Sequence, residues 1–155
     1  MASKLTVGVV SDTHGLVRPE AVEALRGSDL ILHAGDIGGN HVLQELSELA
    51  PVIPVRGNVD GGWARLLPER RRLDLGGVPV LILHERALLG LDPADEGLGV
   101  VVFGHSHQPL AEKRKGVLWF NPGSAGPRRF RLPVSVGRLV IESGRVRHRL
   151  IALGP

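Results

Sequence analysis

Seven residues of types that commonly bind metal ions follow apolar stretches of the chain at regular intervals. They are Asp12, His14, Asp36, Asn58, His84, His105 and His107. The steps from His14 to Asp36, Asn58, His84 and His105 are 22, 22, 26 and 21 residues long. Each step is about one strand plus its return connection, so we expect all seven side chains to meet at the carboxyl edge of a sheet.

Two pairs within this set have an i, i+2 spacing. In extended backbone this spacing sends both side chains to the same side, so Asp12 with His14, and His105 with His107, can each face one point. The chain has no cysteine, so any metal must be held by nitrogen and oxygen ligands. Two carboxylates, one amide and four imidazoles exceed the needs of one ion and suit two, if one carboxylate bridges them.

Taken singly, each motif also has an ordinary structural explanation. Asp-x-His and Gly-Asp are common in loops after strands, and Asn58 is compatible with a simple Asx-turn. A lone His84 is more often a buried or surface histidine without a ligand role. Gly-His-Ser-His at residues 104–107 is the strongest single motif, but only the order and spacing of the whole set favour a metal site.

The first half of the chain alternates predicted strands and helices. Near-continuous apolar runs predict buried strands at residues 5–10, 29–33 and 51–55, the first of them central in its sheet. Helices are predicted at residues 19–26 and, with Asn40 as N-cap, from 40 to about 49. This β-α-β-α-β order predicts a parallel sheet with right-handed crossovers.

The second half predicts mostly antiparallel pairing. A hairpin over residues 72–84 turns at Gly76 and Gly77. Further strands are predicted at residues 100–103, 117–121, 134–142 and 146–152. No shift of composition marks a linker, so we interpret residues 1–155 as one domain.

Composition limits the partners. No apolar run approaches the roughly 20 residues that cross a bilayer, and no signal peptide opens the chain, so we expect no membrane partner and a cytoplasmic location. The pI of about 10.2 accompanies a net charge of only +3 with scattered arginines, so nucleic acid is a permitted but not a favoured partner. The aromatic residues, including Trp63 and Trp119, are too sparse for a base-stacking platform and are assigned to the core.

In this order, the motifs Asp-x-His, Gly-Asp, Gly-Asn-x-Asp, a strand-end histidine and Gly-His-x-His resemble those of the calcineurin-like metallophosphoesterases. The small prokaryotic phosphodiesterase branch is most similar, because its Asn-Pro-Gly-Ser loop matches residues 121–124, followed here by Pro127 and Arg128. The resemblance implies an α/β fold of four layers (α/β/β/α), in which two β-sheets pack as a sandwich flanked by helices, with the site at one edge.

The resemblance also implies the ligands of two divalent ions. One ion would be held by Asp12, His14, Asp36 and His107. The other would be held by Asp36, Asn58, His84 and His105, so Asp36 is the bridge. The donor types suit Mn, Fe, Zn, Co or Ni, with Mn favoured. A hydroxide between the ions would attack phosphorus in small or nucleotide-like phosphodiesters, and the catalytic set would be Asp36, Asn58 and His84.

The chain departs from many relatives at one position: Val59 stands where they carry a histidine thought to protonate the leaving oxygen. Valine cannot donate a proton, so we expect weak activity on alkyl monoesters and better turnover of diesters or acidic leaving groups. Further candidates for substrate contact or ligand support are Asp60, Asn121, Ser124 and Arg128, for which turn chemistry or a solvated side chain remain open alternatives. We expect His33 to be a core histidine, and His41 and His148 to be surface residues.

Two other functions fit parts of the pattern. A nuclease would use the same chemistry, but no added nucleic-acid-binding module is evident. The fold also resembles a retromer scaffold subunit, which works by protein contact and has altered metal ligands. Competent residues at all seven ligand positions favour catalysis here.

Overall fold

The computed structural model describes residues 4–129 and 131–154. This part of the chain contains two α-helices, α1 (Pro19–Leu25) and α2 (Asn40–Ser47). Its ten strands are β1 (Lys4–Val10), β2 (Leu30–His33), β3 (Val52–Pro54), β4 (Arg70–Leu75), β5 (Val78–Leu83), β6 (Val100–Val102), β7 (Leu110–Arg114), β8 (Val117–Asn121), β9 (Ser135–Glu142) and β10 (Arg145–Ala152). Single 3₁₀ turns occur at Gly62–Ala64 and Arg86–Leu88.

The first sheet has the strand order β10-β9-β1-β2-β3. Its central strand β1 runs parallel to β2, with Val7 opposite Leu30, and antiparallel to β9, with Val7 opposite Leu139. The prediction of a central first strand is confirmed, because its apolar residues need cover on both faces. Parallel pairing of β2 with β3 completes the predicted β-α-β-α-β unit.

The second sheet has the order β4-β5-β6-β8-β7. Antiparallel pairing is confirmed at its edges, but its centre is different: β5, β6 and β8 are parallel neighbours. The three valines of β6 are fully buried, which is typical of a parallel central strand. Strand β7 was missed by the sequence prediction because its half-exposed, largely polar residues lack a clear apolar alternation.

The two sheets pack face to face, as predicted. Alternate residues of β5 show this packing, because Val80 and Ile82 enter the core between the sheets while Leu81 and Leu83 face outward. Both helices cover the outer face of the first sheet. The outer face of the second sheet is covered by the segment from residue 86 to 98, including Leu89 and Leu98.

Three local predictions were wrong or fall outside this description. Asn40 is the first residue of α2 rather than its cap; Gly39 takes the cap position, where no side chain accepts a hydrogen bond. Trp63 is 41% exposed in a 3₁₀ turn and is not a core residue. Phe103 and Phe120 are buried, whereas Phe130 lies outside the described residues.

Neither α-helix of the described chain is long and apolar enough to cross a bilayer.

Candidate metal centre

The loops that follow β1, β2, β5 and β6 bring six of the seven predicted ligands together. These six form two groups, within each of which the potential ligand atoms lie within 4.8 Å of one another. The first group is Asp12, His14 and His107, and the second group is Asp36, His84 and His105. The division agrees with the two ligand sets that the sequence resemblance implies.

The two groups are in contact through their carboxylates. Asp36 Oδ2 lies 3.1 Å from His84 Nε2 in its own group and 3.8 Å from His14 Nε2 in the first group. Asp12 Oδ1 lies 3.4 Å from His107 Nε2 and 3.8 Å from His84 Nε2. In both Asp36 and Asp12, one carboxylate oxygen therefore has a histidine of each group beside it, which is the arrangement that a bridging ligand requires.

Two buried polar atoms of the cluster fit a bound cation. Asp12 Oδ1 and His84 Nε2 have no hydrogen-bond partner within residues 4–129 and 131–154. His107 Nδ1 also has no partner there, but this ring presents its other nitrogen, Nε2, to Asp12 and His14. Buried polar atoms without partners are costly and occur mainly where a ligand or ion satisfies them. The Nε2 atoms of His14 and His107 lie only 3.3 Å apart, a contact that needs a shared proton or cation between two imidazole nitrogens. The donor set therefore fits divalent cations.

The backbone at most of the candidate ligands lies in the left-handed region. Seven non-glycine residues of the described chain have a positive φ, and five of them are candidate ligands. These five are Asp12, His14, Asp36, His105 and His107, with φ between 46° and 73°. Such conformations cost about 1–3 kcal/mol each and cluster at functional sites. The structure thus holds these loops against local preference.

His33 connects two ligand loops from beneath the site, where it is fully buried as expected of a core histidine. Its Nδ1 accepts a hydrogen bond from Gly35 N (3.1 Å), so we assign the ring proton to Nε2, which donates to Thr13 Oγ1 (3.0 Å). The Thr13 hydroxyl donates in turn to the Ile37 carbonyl (2.8 Å). Burial lowers the pKa of His33 to about 4, which outweighs the opposing charge of Asp12.

Hydrogen bonds also fix the two carboxylates. Ser11 Oγ (2.7 Å) and His105 N (3.1 Å) donate to Asp12 Oδ2, which leaves Oδ1 directed at the histidines. Val59 N donates to Asp36 Oδ1 (3.1 Å), which leaves Oδ2 toward the two groups. In each case one oxygen is held by donors and the other is available to a cation.

Burial raises the pKa of Asp36, but the contact with His84 and the Val59 amide outweigh it and hold the pKa below its ordinary value. Burial likewise lowers the pKa of His84, but Asp36 and the charge of Asp12 outweigh it and raise the pKa. His84 Nδ1 lies 2.8 Å from the Ala34 carbonyl, to which it donates. Its Nε2 is thereby turned toward the carboxylates.

Asn58 and Asp60 have different places in the loop after β3. Asn58 is exposed and lines a cavity together with His84, which puts it beside the second group. Asp60 accepts backbone hydrogen bonds from Gly57 (2.8 Å), Ile37 (3.1 Å) and Gly38 (3.0 Å). Asp60 therefore ties the loop of Asn58 to the loop of the bridging candidate.

Asn121 and Ser124 are buried and contact ligand loops rather than the open side of the site. Asn121 Nδ2 donates to the Gly104 carbonyl and to Ser106 Oγ, both at 3.2 Å. Ser124 Oγ donates to the Asp12 carbonyl at 3.0 Å. Arg128, the last residue of the predicted set, is exposed.

Sequence reasoning missed three supporting residues: Ser11, Thr13 and Glu85. Thr13 turns toward His33 from between Asp12 and His14. The backbone there is left-handed rather than extended, so the i, i+2 argument of a strand did not apply and could not have predicted this orientation. Glu85 Oε1 lies 3.6 Å from His105 Nε2, and its position directly after His84 was the corresponding signal. Ser11 gave no signal of its own, because a serine at a strand end is common.

Comparison with known proteins places the chain in a family of metallophosphoesterases. Residues 5–144 match the calcineurin-like phosphoesterase superfamily domain. A probable metallophosphoesterase from Methanothermobacter thermautotrophicus is 34% identical over 165 residues, covering 97% of this chain and 94% of the relative.

Two solved structures have similar folds. The phosphoesterase YfcE from Escherichia coli superposes with a TM-score of 0.72 at 26% identity, covering 97% of this chain and 94% of YfcE. Vps29 from Entamoeba histolytica in complex with Zn²⁺ superposes with a TM-score of 0.73, covering 97% of this chain and 100% of Vps29. At 21% identity, the likeness to Vps29 shows the fold alone.

Proposed function

Because the chain belongs to the calcineurin-like phosphoesterase superfamily, we propose that it is a two-metal phosphodiesterase acting on small or nucleotide-like phosphodiesters. The observation that carries the proposal is the pair of adjoining three-residue groups, with Asp36 Oδ2 beside a histidine of each. Relatives named as phosphodiesterases, including YfcE at 34% identity over 63% of this chain, support the diester specificity.

In this proposal, Asp12, His14, Asp36 and His107 hold one ion, and Asp36, Asn58, His84 and His105 hold the other. When two such ions are bound, they lower the pKa of water and neutralise charge on the phosphoryl oxygens. The unpartnered Asp12 Oδ1 and His84 Nε2, one in each group, support this division of the ligands.

The protein's own residues do the positioning. Asp36 presents Oδ2 to both groups because Val59 N occupies its other oxygen. His84 presents a free Nε2 because its Nδ1 donates to the Ala34 carbonyl. Asn58, exposed at the cavity beside the second group, would contact both the ion and the incoming ester.

The residue at position 59 supports a preference for diesters with good leaving groups over the hydrolysis of phosphomonoesters in general. The Val59 side chain is 52% exposed next to Asn58 and has no proton to donate. A positioned general acid typically contributes about 10²–10⁴-fold, so its absence weighs most on poor leaving groups. Alkyl phosphomonoesters should therefore be turned over slowly.

The proposal is tested by measuring bound metal and hydrolysis together. We expect protein loaded with Mn²⁺ to hydrolyse bis-p-nitrophenyl phosphate, and EDTA to abolish the reaction. Asp36→Asn should lower turnover by at least about 100-fold, whereas the exposed Asp95→Asn should not change it. Absence of both metal and turnover would favour a protein-contact scaffold, and strong salt-sensitive binding of DNA in a gel-shift would favour a nuclease.

A further inference from the structure

A cavity of about 190 Å³ opens beside the second histidine group. Asn58 and His84 are part of its lining, so a phosphoester held at that group would project a substituent into the cavity. The rest of the lining comes from the segment around Arg56, the start of β4 and the turn Arg86–Leu88 after β5.

The apolar part of the wall is held in place before any ligand binds. Leu83 is buried, whereas the Leu88 side chain is 67% exposed on a 3₁₀ turn. Arg70 donates from both ends of its guanidinium group to the carbonyls of Leu88 (2.7 Å) and Leu89 (2.9 Å). A preorganised apolar surface binds an apolar group at low entropic cost, and covering Leu88 is itself favourable.

The charged groups of the lining add up to no net formal charge, and each has a polar partner. Arg56 donates to Glu69 Oε1 at 2.9 Å, and Glu85 Oε1 lies 3.6 Å from His105 Nε2. Two arginines and two glutamates line the cavity, so their formal charges cancel. A second phosphate or a carboxylate would find no surplus of positive charge there.

The size of the cavity fits one ring. An apolar cavity of about 150 Å³ is enough to hold benzene, so about 190 Å³ accepts one six-membered ring. We infer that this cavity binds one ester arm of the substrate, and that this arm is a compact, uncharged ring, either an aryl group or a single-ring base. The inference rests on the proposed function, because the phosphoryl group must be held at the metal centre.

Binding of inert phosphonates tests the cavity without turnover. By isothermal titration calorimetry of the Mn²⁺-loaded protein, phenylphosphonate should bind at least about tenfold more tightly than methylphosphonate. A 4-carboxyphenylphosphonate should lose most of that gain, because its charge has no partner. Equal affinity for the phenyl and methyl compounds would overturn the inference.

Two leucine variants make the test specific. Leu88→Gln should reduce the ratio of phenyl to methyl affinity to about threefold or less, since it removes the exposed apolar wall. Leu91→Gln alters another exposed leucine, outside the lining, and should keep the ratio. Circular dichroism checks that both variants fold. An unchanged ratio in Leu88→Gln would contradict the assignment of the wall.

Turnover separates failure of the inference from failure of the proposed function. Methyl, phenyl and thymidine 5′ diesters that share p-nitrophenol as leaving group should show kcat/KM at least about tenfold higher for a ring-bearing arm. If the thymidine ester is favoured over the phenyl ester, the arm is a base; if the phenyl ester is favoured, it is an aryl group; equal gains mean that the cavity accepts either ring. Equal rates for all three with the phosphonate preference intact assign the cavity to the ring of the leaving group, whereas equal rates without that preference overturn the inference alone. No hydrolysis, with the phosphonate preference intact, overturns the proposed function and leaves the cavity assignment standing.

Discussion

His14 Nε2 and His107 Nε2 lie 3.3 Å apart, although 93 residues separate them in the chain. Asp12 Oδ1 lies 3.4 Å from the second of these nitrogens and has no hydrogen-bond partner in the described chain. Three side chains from two distant loops therefore surround one point, which is the first candidate ion position.

Removing one of these ligands should empty that position alone. We expect His107→Ala to reduce bound Mn²⁺ from about two to about one ion per chain and to lower diester hydrolysis by at least about 100-fold. Elemental analysis after gel filtration measures the first effect. His148→Ala, which removes an exposed histidine of β10, serves as the matched control. A variant that retained both ions would show that His107 is not a ligand.

The left-handed backbone at the ligands predicts an unusual response to glycine. His105 has φ 73°, so His105→Gly should be more stable than His105→Ala by about 1 kcal/mol in urea unfolding with EDTA present. At Gln44, an exposed residue in the middle of helix α2, the order should reverse, with glycine about 0.5–1 kcal/mol less stable than alanine. The same order at both positions would contradict strain at His105.

His33 should make stability pH-dependent. Its pKa is lowered to about 4 in the folded protein from 6.5, so between these values the unfolded chain binds a proton that the folded protein does not. This contribution to stability is intact above pH 6.5 and is lost as the pH falls toward 4.

Urea unfolding at several pH values, with EDTA present, measures this effect. The free energy of unfolding of the wild type should fall by roughly 1 kcal/mol per pH unit more than that of His33→Asn within this window. The other titrating groups are common to both proteins and cancel in the difference. Parallel pH profiles would mean that His33 titrates normally in the folded state.

Restoring an acid at position 59 should broaden the substrate range. Val59→His should raise kcat for alkyl phosphomonoesters by about tenfold or more, because the new imidazole can protonate a poor leaving group. Hydrolysis of p-nitrophenyl diesters, whose leaving group needs no proton, should change little. Since Val59 is 52% exposed, the substitution should fold normally. A wild type that hydrolysed alkyl monoesters as fast as aryl diesters would refute the role given to this position.

Much of the fold followed from local signals in the sequence. The apolar run of β1 required cover on both faces, and this requirement placed the strand at the centre of its sheet. Strand β7 could not be predicted because its largely polar residues lack an apolar alternation. The parallel centre of the second sheet could not be predicted because the partners of a short strand depend on the whole sheet rather than on its own residues. The exposure of Trp63 could not be predicted either, because the local sequence does not indicate which side of a 3₁₀ turn faces solvent.

The sequence by itself determined which side chains could bind metal and which strand each of them follows, because residue type and strand length are local properties. Only the tertiary structure decided that Asp36 Oδ2 lies between two groups, that His33 ties their loops together, and that Asn121 and Ser124 donate to the loops after β1 and β6. These relations join residues that are distant in the chain or depend on which way a buried side chain turns. Such distances and orientations are set by the packing of the two sheets.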